Sequence, residues 1–289
     1  MILSIEPFGA PLGAEVLGFD FSSPIDVPSR DRLRGALDDY LLLVFRNSEC
    51  IPSDHQVVDF CSAFGDLRPT LADRSRLPEH PAVNLVSNRK VGGVHGTGGN
   101  GIVTWHSDLH FSPPLIELLF LDALKVTSTG GNTKWTNLCA AYDALDPELA
   151  EQIDGMAVRY GLRDDLDLSD YFKASDSREV TCTTEISLVQ VNPRTGRKAV
   201  WPNIGPDFTA EVVGLSPSEG QELLAKRYRH CTRDRFVYVH DWHVGDACLW
   251  LNNQTMHQRE GFPDDEERVM RHVNILGLTD RHQRQTAQA

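Results

Sequence analysis

The hydrophobic positions of the chain predict a small number of amphipathic helices. In several stretches, apolar residues recur at helical spacing behind a capping residue, with charged residues on the opposite side. Ser29 and Ser53 are expected to cap the first two helices, and Gly65 is expected to end the second. The predicted helices cover residues 28–40, 52–65, 137–145, 146–155 and 215–230.

Short apolar runs between these helices predict strands. The runs are too short for ordinary helices, and they are rich in leucine, β-branched and aromatic residues. Strands and helices do not alternate regularly, so a doubly wound parallel sheet is not expected. The pattern favours a mainly β chain with flanking helices, of the α+β class. The predicted strands cover residues 41–45, 116–124, 236–242, 247–251 and 271–278.

Composition and charge limit the class of protein and its partners. The chain has 289 residues, of which 40% are hydrophobic and 24% are charged, as is typical of a soluble globular protein. The net charge of −13 disfavours nucleic acid and anionic membranes as partners, because both attract positive surfaces. We expect a single domain over residues 1–289, a small-molecule partner and a homo-oligomer.

Targeting signals and disulfides are not predicted. The first residues lack the basic and uninterrupted apolar regions of a signal peptide, and no apolar run is long enough to span a membrane. The six cysteines are scattered without a CxxC pair, which is typical of thiols in a reducing compartment. We therefore expect a cytoplasmic protein.

Two segments are predicted to be lids over a site. Residues 91–101 contain six glycines, and residues 163–185 are acidic and weakly patterned. The glycine segment matches the dinucleotide-binding pattern G-x-G-x-x-G. A strand-like stretch rather than a helix follows it, so nucleotide binding is not expected and a flexible hinge is the better interpretation.

The stretch "WHSDLHF" at residues 105–111 is the main candidate for chemistry. In a strand, its alternate residues His106, Asp108 and His110 would leave on one face. His110 would then lie roughly 13 Å beyond His106, too far to share a metal with it. Together with the distant His257, His106 and Asp108 can form a two-histidine, one-carboxylate facial triad, which leaves open positions on octahedral Fe(II).

The motifs of the chain, taken in order, resemble the taurine dioxygenase family of Fe(II)/2-oxoglutarate oxygenases. One such block alone would be weak evidence, but seven in the family's order, through nearly the whole chain, are strong evidence. The resemblance implies a distorted double-stranded β-helix, the jelly-roll or cupin-like fold, with helices packed outside. The blocks are "LGAEVLGFDFSSP", "LLLVFRN", "FCSAFGDL", "WHSDLHF" with a following "PP", "GGNTKWTNLCAAYDAL", "NPRTGRKAVW" and "TMHQREGFPDDEERVMRHVNILG".

The resemblance also implies roles for individual residues. His106, Asp108 and His257 correspond to the family's iron ligands. Thr133 and Arg268 correspond to the residues that bind the distal carboxylate of 2-oxoglutarate, and arginine suits this role because its fork donates two hydrogen bonds. The implied enzyme consumes 2-oxoglutarate and O₂ and releases succinate and CO₂. It hydroxylates an unactivated C–H bond of a small polar or natural-product substrate.

Three further positions bear on the substrate. Trp201 corresponds to an aromatic residue that lines the substrate pocket in relatives, and His110 stands where relatives commonly carry a threonine. His272 stands where relatives of the taurine type carry an arginine that binds the substrate anion. Alternation directs Arg271 to the other face of the strand. A sulfonate substrate is therefore not expected, and the substrate is expected to meet His110, Trp201 and His272.

Other functions are compatible with parts of this pattern. Desaturation or cyclisation could replace hydroxylation, whereas halogenating relatives usually lose the carboxylate that Asp108 provides. Arg268 could instead pair with Asp264 or Asp265 at the surface. A non-catalytic binding protein of the same fold would show a degraded triad or no Arg268. A zinc hydrolase could use the same three ligands, but it would leave Arg268 and Thr133 without a role.

Overall fold

The fold is taken from a computed structural model of the chain, which describes residues 3–46, 50–111, 113–162, 185–201 and 208–277. No helix within these ranges is long and apolar enough to cross a membrane. The α-helices within them are α1 (Val27–Tyr40), α2 (Asp54–Ser62), α3 (Leu138–Asp143), α4 (Pro147–Ile153) and α5 (Pro217–Cys231).

Capping residues account for where the first helices begin. Ser53 caps α2 as predicted: its side chain accepts from the N–H of Gln56, and the Gln56 side chain accepts from the N–H of Ser53. The predicted cap of α1 is wrong, because Asp26 rather than Ser29 occupies the cap position. The Asp26 carboxylate accepts from the N–H of Ser29 at 2.7 Å, and Pro28 already sets a helical φ in the first turn.

The strands fall into two main sheets and two small ones. The nine-stranded sheet contains β1 (Ser4–Pro7), β2 (Ala14–Leu17), β3 (Leu42–Phe45), β4 (Leu67–Arg68), β5 (Val83–Ser87), β6 (Thr97–Gly98), β8 (Leu118–Lys125), β16 (Ala247–Leu251) and β18 (Val269–Ile275). The four-stranded sheet contains β7 (Val103–His106), β9 (Thr133–Asn137), β15 (Val237–His240) and β17 (Thr255–Arg259). The small sheets contain β10 (Ala157–Leu162), β11 (Glu185–Ser187) and β14 (Phe208–Val212), and β12 (Val189–Val191) with β13 (Lys198–Val200).

The order of strands brings distant parts of the chain together. In the larger sheet the order is β1-β2-β3-β16-β8-β18-β5-β6, with β4 beside β18, and in the four-stranded sheet it is β15-β9-β17-β7. Most neighbours are antiparallel, and β2–β3 and β5–β6 are parallel. The chain is thus mainly β with a few helices, as its hydrophobic pattern predicted.

Aromatic contacts show that the two main sheets face each other. The ring of Trp250, on β16 of the larger sheet, lies 5.3 Å from Trp135 on β9 and 5.3 Å from His257 on β17. On the opposite side of the larger sheet, Phe60 of α2 packs against Phe120 at 5.6 Å. The space between the sheets therefore contains His257, whereas α2 covers the outer face.

Candidate metal centre and its surroundings

Three side chains of the predicted triad meet at one end of the four-stranded sheet. His257 on β17 lies directly opposite His106 on β7 in the antiparallel register. Asp108 follows His106 by two residues. Each residue offers one ligand atom, and these atoms all lie within 4.8 Å of one another. Asp108 Oδ1 is 3.2 Å from His106 Nε2 and 3.6 Å from His257 Nε2. A single metal ion can bind at this point.

The turn after β7, not strand alternation, brings Asp108 to this point. The predicted strand geometry is wrong here because β7 ends at His106 and the next residues form a turn, with Leu109 at a φ of +46°. Asn252 fastens this turn: its Oδ1 accepts from the N–H of Asp108 at 2.9 Å, and its Nδ2 donates to the Asp108 carbonyl at 2.9 Å. Sequence reasoning missed Asn252, which carries no motif signal of its own.

The electrostatics of the triad suit a cation. Burial alone would raise the pKa of Asp108, but hydrogen bonds from His106 and His272 and the nearby His257 hold it well below its usual range. Burial and the neighbouring His106 lower the pKa of His257 well below its usual range, so its ring is neutral. His106 Nδ1 lies 2.7 Å from the carbonyl oxygen of Thr104, which leaves Nε2 as the ligand atom.

Neighbouring residues of β18 point to opposite sides of the larger sheet. His272 Nε2 lies 3.1 Å from Asp108 Oδ2, so this ring borders the triad. Arg271 pairs with Asp122 through two nitrogen atoms and reaches Asp54 at 2.6 Å, beneath helix α2. Arg271 therefore serves the packing of α2 and does not enter the space between the sheets.

A second polar site contains Thr133 and Arg268, with Trp242 between them. Trp242 Nε1 donates to Thr133 Oγ1 at 2.9 Å, and the guanidinium carbon of Arg268 lies 5.9 Å from the centroid of the Trp242 ring. Thr133 is on β9, two residues before Trp135, which lies opposite His257. One face of the four-stranded sheet thus connects this site to the triad. Sequence reasoning missed Trp242, because only the fold brings its indole to Thr133.

Arg268 is buried without a counter-charge. Its side chain is almost fully enclosed, and Nη2 has no hydrogen-bond partner within the part of the chain described. Burial and repulsion from Arg259 lower its pKa to about 9, so it remains charged at neutral pH. Gly131, beside Arg268, has a φ of +71°, and a Cβ there would stand 2.8 Å from Thr127 Oγ1 and 3.3 Å from Arg268 Cδ, so the position favours glycine. Surface pairing of Arg268 is excluded by its burial, and the site fits an anion.

His110 and Trp201, two of the three residues predicted to contact substrate, are both buried. His110 is buried, its Nδ1 is 3.0 Å from the Ser107 carbonyl, and its ring packs edge-on against Tyr160 at 4.7 Å. Trp201 is buried, and its Nε1 has no hydrogen-bond partner in the described ranges. The residues that follow it, 202–207, lie outside the described part of the chain.

The glycine segment 91–101 is fastened at several points in this structure. Arg259 donates from Nη1 to the Gly99 carbonyl and from Nη2 to the Gly98 carbonyl, each at 2.9 Å. A Cβ at Gly96 would stand 2.2 Å from the Ser87 carbonyl oxygen, so glycine is needed there for a close approach of two backbones. A lid over these residues stays a prediction, and 163–184 of the other predicted lid lie outside the described residues.

The known proteins that resemble this chain include several dioxygenases that depend on α-ketoglutarate, also called 2-oxoglutarate. Pentalenolactone F synthase of Streptomyces arenae is 33% identical over 284 residues, which cover 92% of this chain and 92% of the relative. The α-ketoglutarate-dependent 2,4-dichlorophenoxyacetate dioxygenase of Cupriavidus pinatubonensis is 31% identical over 253 residues, 83% of this chain and 86% of the relative. The crystal structure of AAD-2 in complex with Mn(II) and N-oxalylglycine matches with a TM-score of 0.77 and 28% identity, over 96% of this chain and 98% of that one.

A family model described as "Taurine catabolism dioxygenase TauD, TfdA family" matches residues 4–274. The chain belongs to this family. The predicted class of enzyme, an Fe(II)/2-oxoglutarate-dependent dioxygenase that acts on a small molecule, is thereby confirmed, together with its need for Fe(II), 2-oxoglutarate and O₂. The residues present fit these groups, because the triad has the donor atoms that Fe(II) prefers and the buried Nη2 of Arg268 lacks an acceptor among the described residues.

Proposed function

We propose that this enzyme hydroxylates an unactivated C–H bond of a small polar or natural-product substrate. His106, Asp108 and His257 would hold Fe(II), and Arg268 with Thr133 would hold the distal carboxylate of 2-oxoglutarate. When bound, Fe(II) with 2-oxoglutarate and O₂ supplies the oxidising power that breaks the C–H bond, with succinate and CO₂ as co-products. The observation that supports this most is the buried Arg268, whose Nη2 is unpartnered in the described residues. Arg268 lies near Trp242, which donates to Thr133 on the sheet that carries His106 and His257.

The three side chains of the triad would bind one side of the metal and leave its other side open. His106 and His257 present Nε2 atoms from paired strands, and the Asp108 carboxylate is supplied from the turn. His272 contacts the second oxygen of that carboxylate, which favours binding of a metal through Oδ1 alone. Three protein ligands then leave positions for the cosubstrates.

The protein would also orient 2-oxoglutarate. Arg268 is enclosed where water is excluded, so a charge-assisted hydrogen bond to a carboxylate there is stronger than at the surface. Trp242 fixes the Thr133 hydroxyl by donating to it, which leaves the hydroxyl hydrogen available to the same carboxylate. These contacts direct the keto acid end of the cosubstrate towards the triad.

The reaction is tested by measuring succinate release with 2-oxoglutarate, air and a panel of candidate substrates, with Fe(II) or Zn(II) as the only added metal. Succinate that requires Fe(II) supports the proposal, and a hydroxylated product identified by mass spectrometry supports the proposed outcome over desaturation or cyclisation. Hydrolysis of a probe with Zn(II), without succinate, would favour a zinc hydrolase instead.

The remaining expectations also belong to this proposal. The facing sheets support a distorted double-stranded β-helix that spans one domain, residues 1–289. The buried thiols of Cys61, Cys139, Cys231 and Cys248 support a cytoplasmic location. We also propose a homo-oligomer, which light scattering would test.

Segments 91–101 and 163–185 would act as lids, so hydrogen exchange in both should slow when substrate binds anaerobically.

A further inference from the structure

Another buried arginine with unpartnered nitrogen atoms, Arg227, lies on helix α5. The Arg227 side chain is fully buried, and its Nη2 donates to the Leu188 carbonyl at 2.8 Å. Its Nε and Nη1 have no hydrogen-bond partner, and no acidic side chain of the described residues pairs with it. Burial lowers its pKa to about 10, so the group is charged at neutral pH.

The other buried arginines show how unusual this arrangement is. Arg34 pairs with Glu117, Arg271 pairs with two aspartates, and Arg259 donates to backbone carbonyls. Within the described ranges, three buried arginines have an unpartnered nitrogen atom and no acidic partner: Arg227, Arg259 and Arg268. Arg259 differs from Arg227 because both of its Nη atoms donate to backbone carbonyls, whereas Nη1 of Arg227 has no partner. A buried charge without a partner is unfavourable, so such a group is retained where a ligand supplies the missing charge.

Contacts connect Arg227 to the triad. The Tyr160 phenol is close enough to act electrostatically on the guanidinium, and its ring packs against His110 at 4.7 Å. The next residue of the helix, Tyr228, is hydrogen-bonded to the backbone of Trp105, which precedes the metal ligand His106. Arg227 thus lies in the enclosed interior of the protein. Tyr160 and Tyr228 connect it to His110 and Trp105, which flank His106 and Asp108 in the sequence.

The same place in the fold contains the aromatic residue that was predicted to line the substrate pocket. The Leu188 carbonyl that accepts from Arg227 also accepts from the N–H of Trp201 at 2.8 Å. Trp201 Nε1, like Nε and Nη1 of Arg227, is a buried donor without a partner in the described chain. Arg227 and Trp201 thus donate to the same carbonyl, through Nη2 and the backbone N–H respectively. Each of them also has a buried side-chain donor without an acceptor in the described chain.

We propose that Arg227 binds a carboxylate of the substrate and so fixes the substrate over the metal. This inference rests on the proposed function and adds the class of substrate to it. One cation balances one negative charge, which favours a monoanion over a phosphate dianion, and the planar guanidinium matches a planar carboxylate.

The test compares carboxylic acids with their uncharged amides. Phenoxyacetate, 3-phenylpropionate and adamantane-1-carboxylate, each beside its primary amide, are added to enzyme with Fe(II), 2-oxoglutarate and air, and succinate is measured. The wild type should respond to at least one acid more than to its amide. Arg227→Gln should weaken that response at least about 30-fold, and Arg227→Lys should restore part of it. Arg229→Gln, an exposed arginine of the same helix, is the matched control and should respond as the wild type does.

A thermal measurement separates binding from a purely structural role. The melting temperature of ligand-free Arg227→Met should equal or exceed that of the wild type, because the substitution removes an unpaired buried charge. The acid that the wild type prefers should raise the melting temperature of the wild type and not that of Arg227→Gln. A fall of more than about 4 °C in ligand-free Arg227→Met would assign the residue to packing and overturn the proposal.

The two proposals fail in different ways. If the wild type produces succinate but responds equally to every acid and its amide, the carboxylate site is overturned and the oxygenase function stands. If no probe gives succinate but an acid stabilises the wild type and not Arg227→Gln, the carboxylate site stands, and the proposed hydroxylation of these acids fails. Absence of both effects for all three acids would overturn the carboxylate site.

Discussion

His106 and His257 face each other across one antiparallel strand pair, and their ring centroids are 4.1 Å apart. The two strands come from distant parts of the chain, so the metal centre exists only when the four-stranded sheet has formed. The pairing shifts register between His257 and Arg259, where three steps along β7, from Val103 to His106, match two steps along β17. Folding of the sheet and assembly of the centre are therefore the same event.

Arg268→Ala should raise the concentration of 2-oxoglutarate needed for half-maximal turnover. Loss of a buried charged partner costs on the order of 2–5 kcal/mol, which corresponds to a weakening of about 30-fold or more. Succinate release measured against 2-oxoglutarate concentration tests this. Arg233→Ala, at an exposed arginine, is the control. Unchanged dependence on 2-oxoglutarate in Arg268→Ala would remove the arginine from cosubstrate binding.

His272→Ala should weaken metal binding without removing a ligand. His272 contacts Asp108 Oδ2 at 3.1 Å, and loss of a group that orients a ligand typically lowers metal affinity about 10–100-fold. Anaerobic titration with Mn(II) measures this affinity without turnover. The exposed ring of His55 provides the control, His55→Ala. Equal affinities in the wild type and His272→Ala would show that the contact does not orient Asp108.

Much of the local structure and the identity of the triad could be predicted from sequence. Ser53 has a capping partner three residues later, and such short-range signals are independent of the rest of the fold. The cap of α1 was assigned wrongly because Asp26 and Ser29 carry similar capping chemistry and compete over the same turn. The triad itself could be named because its residue types and spacing resemble a known family.

Residues that depend on contacts between loops could not be predicted. Asn252 fastens the turn at Asp108, and Trp242 fixes Thr133, but neither position is distinguished in the sequence. Strand alternation placed Asp108 on the face of His106 for the wrong physical reason, because the strand ends before the turn. Arg227 was also missed, since its isolation from acidic partners is visible only in three dimensions.

Taurine should be a poor substrate. His272 is a weaker anion partner than arginine, because an imidazole ring lacks the bidentate fork of a guanidinium. Arg271 cannot replace it, because its guanidinium is occupied by Asp122 and Asp54 on the other side of the sheet. Sulfite release from taurine in the presence of Fe(II) and 2-oxoglutarate measures this reaction. Efficient release would show that another group binds the sulfonate.

Stability should fall as the pH decreases below about 6.5, in part because of His240. Burial lowers the pKa of this ring below its usual value, so the unfolded chain takes up a proton that the native chain does not. This contribution to the free energy of unfolding is fully present above the pKa that His240 has in the unfolded chain. It is lost as the pH falls towards the lower pKa of His240 in the native chain, with a slope of at most about 1.4 kcal/mol per pH unit. His240→Gln should show a smaller slope in denaturant unfolding, whereas His243→Gln, at an exposed ring, should keep it. A wild-type slope in His240→Gln would contradict this.

The central claim is that His106, Asp108 and His257 together hold the iron of an oxygenase, and metal stoichiometry tests it most directly. Anaerobic equilibrium dialysis with Fe(II) should give one bound ion per chain for the wild type and for the His55→Ala control. Binding should be lost or greatly weakened in Asp108→Ala and in His257→Ala, with succinate release lost in parallel. Full Fe(II) binding in either triad variant, with succinate release retained, would contradict the claim.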